Sequence, residues 1–128
     1  MALGYRKFRG VITLDVDGEL ATGNGLKQVR MPFAGTITGV TTAVGTAPTG
    51  GNSTIKVDVN KGGTTIFTDQ ANRPTIAAAA FSATAGAHSI RPFAAGDVLS
   101  IDIDSVGSTV AGSDLVVAIA YDGVRNPN

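Results

Sequence analysis

From residue 98 to residue 104 the chain alternates, with Leu99, Ile101 and Ile103 apolar and Ser100, Asp102 and Asp104 polar. Successive strand side chains point to opposite faces, so a period of two predicts a strand with one buried and one wet face. The turn signal Gly96-Asp97 precedes it. Residues 53–60 repeat the grammar, with Ile55, Val57 and Val59 on one side and Lys56, Asp58 and Asn60 on the other. Two such strands, each bounded by turn residues, predict sheet packed on sheet.

The remaining strands follow from the same pattern. Residues 11–16 set Ile12, Leu14 and Val16 against Thr13 and Asp15, and Asp17-Gly18 turns the chain. Residues 27–31 form a short strand that Pro32 ends, since proline has no amide donor for a ladder. In residues 35–44 the apolar parity changes from odd at Ile37 to even at Val40 and Val44. Gly39 stands at the change, which predicts a β-bulge. Residues 64–68 return as the hairpin partner of 53–60 across Gly62-Gly63. Residues 69–87 read as extended or irregular with room for one helical turn, and 89–91 as a short strand ending at Pro92. Residues 114–121 are apolar on both faces: Leu115, Val117 and Ile119 on one, Val116, Ala118 and Ala120 on the other.

This gives about eight strands and no helical segment long enough for a crossover, which disfavours a parallel α/β architecture. The expected fold is all-β: a single antiparallel β-sandwich of jelly-roll type. The expected organisation is an N-terminal arm at 1–10, the sandwich at 11–122 and a polar tail at 123–128. The expected core is Ile12, Leu14, Ile37, Ile55, Val57, Val59, Leu99, Ile101, Ile103, Leu115, Val117 and Ile119.

Composition narrows the function. The 128 residues carry 10 basic and 10 acidic side chains, so no basic excess exists to neutralise a nucleic-acid backbone. No cysteine is present, which removes disulfides, thiolate nucleophiles and cysteine-ligated zinc. The N-terminus is basic without an apolar run behind it, and no segment approaches the ~18 apolar residues of a membrane span. The expectation is a soluble protein made in a cytoplasm, with neither nucleic acid nor membrane as partner.

Candidate chemistry is sparse. A serine-histidine-aspartate set would have to use His88, and no nucleophile-elbow motif is present. The plainer reading of His88 is a histidine at a strand start near the surface. Asp15 and Asp17 share a strand face and could clasp an ion with Asp102 or Asp104. Solvated acids that deter edge pairing are the simpler account. Residues 45–51 are glycine-rich but lack the lysine and following helix of a phosphate loop. No catalytic residue, metal or cofactor is therefore assigned.

Several strings together resemble a small β-sandwich module of tailed-bacteriophage virion proteins: MPFAGTITGVT at 31–41, VGTAPTG at 44–50, IKVDVNKGGTTIF at 55–67, FAAGDVL at 93–99 and DSVGSTVAGSDL at 104–115. The resemblance implies a virion structural protein, commonly trimeric, that is not an enzyme. Head decoration (cement) proteins, fibres and tail proteins all use such modules. The short length and the missing catalytic set point to a decoration protein that binds the major capsid protein on the outer capsid surface. The alternative is a receptor- or glycan-binding fibre or tail module. Two features suggest contacts between chains. The face made by Val116, Ala118 and Ala120 is expected to pack in a homotrimer. The arm residues Tyr5, Arg6, Lys7, Phe8 and Arg9 are expected to touch a neighbour or the capsid.

Overall fold

In the computed structural model, which describes residues 6–51 and 54–125, the alternating segments are strands. They are β1 (Arg6–Glu19), β2 (Gly23–Arg30), β3 (Ala34–Thr46), β4 (Thr54–Lys61), β5 (Thr64–Thr65), β6 (Thr75–Ala77), β7 (Ser82–Thr84), β8 (Pro92–Phe93), β9 (Val98–Ser105) and β10 (Ser113–Arg125). A 3-10 turn, Gln70–Asn72, interrupts the run after β5.

These strands form two antiparallel sheets packed face to face, a β-sandwich. The first has the order β1-β10-β3-β7, with β8 also paired to β3. The second has the order β2-β9-β4-β5, with β6 also paired to β4. The chain passes repeatedly from one sheet to the other, and the last two strands enter the middle of the two sheets. Seven of the expected strands are present, and the three others, β6, β7 and β8, are short pieces in the stretch whose sequence lacks a period.

Between the sheets lies an aliphatic core. Leu14, Ile37, Val40, Val44, Leu115, Val117 and Ile119 come from the first sheet; Ile55, Val57, Val59, Leu99, Ile101 and Ile103 from the second. Each such side chain contributes roughly 1.5–3 kcal/mol when fully buried. Of the expected core only Ile12 is less than buried, because β1 is the last strand of its sheet. The bulge sits where the parity changes. Ala120 faces Gly39 and Tyr121 faces Ile37, so Thr38 is the extra residue and both Ile37 and Val40 turn inward. The β4–β5 hairpin turns through Gly62 and Gly63 at φ 58° and 83°, angles that glycine adopts without strain.

Three expectations are corrected. Residues 6–10, the described part of the expected arm, are the first third of β1, paired with Arg125 to Tyr121. Phe8 explains this: its ring packs edge-on against Phe33 at 4.9 Å and Tyr121 at 6.3 Å between centroids, so the segment is anchored to its own core. Residues 123–125 of the expected tail continue β10 for the same reason. Residues 89–91 form no strand; the amides of Ser89 and Ile90 both donate to the Ile66 carbonyl, which bends the chain there.

Candidate functional site

The outer face of the first sheet is built from the positions that alternate with the core. On β1 these are Arg9, Val11, Thr13 and Asp15; on β10, Val116, Ala118, Ala120 and Asp122; on β3, Thr41 and Ala43. Register brings them side by side. Val11 faces Ala120, Thr13 faces Ala118, and Asp15 faces Val116, which in turn faces Ala43. Val11 is 61% exposed and Val116 37%, while Ala118 and Ala120 are half-buried by their neighbours. Small side chains leave this face shallow. One groove of about 560 Å³ runs along it beside Arg9, Val11, Thr38, Ala120 and Asp122. A second, of about 300 Å³, lies between Thr41, Ala43, Ser82, Val116 and Ala118. The three positions expected at an oligomer interface thus share one open face, and Val11, Thr13, Thr41 and Ala43 extend it. Their signal was in the sequence: these residues occupy the outward parity of their strands.

The arm residues divide. Tyr5 lies outside the described residues. Arg6 begins β1. Lys7 and Arg9 are exposed, and Arg9 leans toward Asp122 at 3.7 Å on the outer face. Phe8 turns the other way, into the cluster of Phe33, Phe93 and Tyr121. Gly10 makes that cluster possible, since a side chain there would meet the Tyr121 ring.

The second sheet presents a polar outer face instead. Asp58 and Asn60 are only 6% and 8% exposed. Thr65 Oγ1 donates to Asp58 Oδ1 at 2.6 Å, and Gln70 Nε2 donates to Thr65 Oγ1 and to the Phe67 carbonyl. Asn60 Nδ2 and the Gly25 amide donate to the two oxygens of Asp102, at 2.9 and 2.7 Å. Arg73 Nη1 meets Asp104 Oδ2 at 2.6 Å. Burial raises the Asp58 carboxyl above its ordinary range; the Thr65 hydrogen bond partly offsets this, and the Asp104 charge adds to the rise.

The four aspartates do not share one face. Asp15 and Asp17 belong to β1 of the first sheet, Asp102 and Asp104 to β9 of the second. Among the described residues no group of three or more His, Asp or Glu is placed to hold a metal ion. His88 is buried rather than near the surface, a correction to the sequence reading. Its Nε2 lies 2.7 Å from the Ile37 carbonyl oxygen, and a carbonyl only accepts, so Nε2 carries the proton. The ring sits edge-on to Phe67 and ties residue 88 to β3.

No family model matches the chain, and no curated protein does either. Among solved structures, a chain of the cyanophage Pam1 capsid asymmetric unit is similar, with a TM-score of 0.56 and 18% identity. The match covers 95% of this chain and 88% of that one. At that identity the likeness is one of fold.

Proposed function

We propose that this chain is a non-enzymatic structural protein of a phage particle, and that its place there is head decoration. The observation that carries the reading is the extent of the fold likeness to a chain from a phage capsid, which runs over 95% of the sequence. The strand order supports a jelly roll: β1 to β4 alternate between the sheets, and β1 and β10 pair as neighbours. The chain assembles on the outer capsid surface in the host cytoplasm, with the major capsid protein as partner. Its work is adhesive: added contacts across subunit boundaries that hold the shell together.

The open face supports a homotrimer through Val116, Ala118 and Ala120, whose small side chains permit close approach between strands. Lys7 and Arg9, exposed beside that face, contact a neighbouring chain or the capsid. Closed symmetry covers the patch without building filaments.

Quantitative mass spectrometry of purified particles tests the location. A copy number comparable with that of the major capsid protein is the expected result. A copy number matching a tail or vertex component would replace decoration with the receptor- or glycan-binding fibre reading. Light scattering tests the trimer: Ala118→Arg should abolish it while the circular dichroism of the strands is unchanged.

A further inference from the structure

Of the strands that end the two sheets, β1 is unlike the others. At the far end of the first sheet stand β7 and β8, of three and two residues. The far end of the second sheet has β5 and β6, of two and three residues. The near end is β2, of eight residues, whose pairing is broken by a register shift between Gly23 and Lys27. Short or bulged edges are the usual ways of preventing sheet-to-sheet association. By contrast β1 is 14 residues long and pairs with β10 without a break from Arg6 to Val16. No described strand lies along its other side. Its edge ends at Gly18, where φ is +80° and the amide turns to Asp114 Oδ1 at 2.8 Å.

The side chains along this edge are ordered by sign. On the outer face, in sequence, stand Lys7, Arg9, Val11, Thr13 and Asp15, with Asp17 following at the bulge. All are exposed. The basic residues occupy one end and the acidic ones the other, with a short uncharged pair between. Such a string is complementary to itself when reversed. With a second β1 laid antiparallel about Ile12, Arg9 faces the second copy's Asp15 and Val11 faces its Thr13. Lys7 then approaches its Asp17. Every facing pair is matched, twice over by symmetry. A parallel arrangement in register sets Lys7 against Lys7 and Asp15 against Asp15. Slipping the antiparallel register by two residues keeps only half of the opposed charges: Asp15 faces Val11 while Arg9 meets Asp17, or Arg9 faces Thr13 while Lys7 meets Asp15. Opposite charges facing across adjacent strands therefore favour the matched register over the slipped ones, and like charges penalise the parallel arrangement.

We infer that β1 is a self-recognition edge: a second copy of this chain docks on it antiparallel about Ile12, joining the first sheets of two copies into one. The contact is a two-fold, isologous one, so it closes on itself. Its specificity lies in the charge order, and its backbone ladder supplies the attachment, as in strand addition generally. It also covers Val11, the most exposed large apolar side chain among the described residues, and Ile12, half-buried at the rim. The edge is distinct from the β10 positions given to the trimer, and the inference holds whether or not the chain is a virion protein.

Charge reversal tests it through the mass of the full chain in sedimentation or light scattering. The wild type should show an even number of chains, two alone or six if the trimer also forms. Arg9→Asp sets two acids against each other in both symmetric pairs, and Asp15→Arg sets two bases. Each should halve the mass, with strand circular dichroism unchanged. An equimolar mixture of R9D and D15R restores every pair, as does the double variant R9D/D15R, and both should recover the wild-type mass. The sequence contains no cysteine, so a V11C/T13C variant should form an intermolecular disulfide on mild oxidation, at the spacing of facing strand residues. A wild type of one or three chains overturns the inference. So do reversals that leave the mass unchanged, or reversals that halve it without rescue by the mixture and the double variant.

Discussion

On the outer face of the second sheet, Asp58, Asn60, Asp102 and Asp104 are each held by a named partner. Thr65 with Gln70 holds Asp58 and Arg73 holds Asp104, while Asn60 and the Gly25 amide hold Asp102. On the outer face of the first sheet, Val11, Thr13, Thr41, Ala43 and Val116 stay open to solvent beside half-buried Ala118 and Ala120. The two sheets have equivalent inner faces and similar strand grammar, so the difference is not one of folding. A face whose polar groups are satisfied within the chain is finished as a surface. A shallow face of small and apolar groups leaves contact area for another chain. The contact face proposed above therefore lies on the first sheet, and the second sheet is its support.

The strongest way to break that contrast is to remove what holds residues 65–73 in place. Phe67, the fully buried anchor of residues 65–73, should cost about 3–5 kcal/mol as Phe67→Ala, seen as a lowered denaturant midpoint. Arg73→Ala comes next. It leaves Asp104 without its short ion pair, and a loss of about 1–3 kcal/mol is expected for a hydrogen bond between charged groups that are mostly shielded. Hydrogen exchange should quicken in residues 65–73 and stay unchanged in β10; equal quickening in both would deny that residues 65–73 are a local unit.

The third test concerns pH. The Asp58 carboxyl is raised above its ordinary value of 3.8 in the folded chain, so the unfolded chain releases this proton first. Above 3.8 the folded state binds more protons than the unfolded one, and stability falls as pH rises through the window up to the folded value. Asp58→Asn keeps an acceptor for Thr65 and removes the titration. Its stability relative to wild type should therefore grow from acid toward neutral pH in paired urea titrations. A constant gap would show that Asp58 is not the group responsible. The smallest effect belongs to the first sheet. Val116→Thr, equal in shape and exposed, should stay within about 0.5 kcal/mol in the isolated chain. The same change should weaken association, and that separation of stability from assembly is what the contrast requires.

Much of this was legible in residues 53–60, 98–104 and 114–121, where period two names the inner face outright. The parity change at Gly39 even located the bulge. Ile66, Phe67, Ile76, Met31 and Phe93 were not legible as core, because they sit in short strands or turns where no period accumulates. Residues 6–10 looked like an arm because their charges drew attention from the alternation of Phe8 with Lys7 and Arg9. Their strand character rests on Tyr121, more than a hundred residues away. The grouping of Asp15 with Asp102 failed for a related reason. Alternation assigns a side chain to a face of its own strand and says nothing about which sheet that strand joins. The outer face around Ala118 was visible as a second apolar parity, while its extension across Val11 and Ala43 required the register.

The order of the strands also governs how the protein is made. In each sheet the neighbours on either side are synthesised well before the strand between them: β1 and β3 wait for β10, and β2 and β4 wait for β9. A nascent chain leaving the ribosome therefore cannot complete either layer until β9 and β10 emerge, and folding waits for them. Interrupted synthesis yields a chain with both sheets open at the middle, which quality-control proteases can recognise and destroy. Any assembly made through the proposed face would receive only copies that have added β10, because that strand completes the first sheet and bears that face.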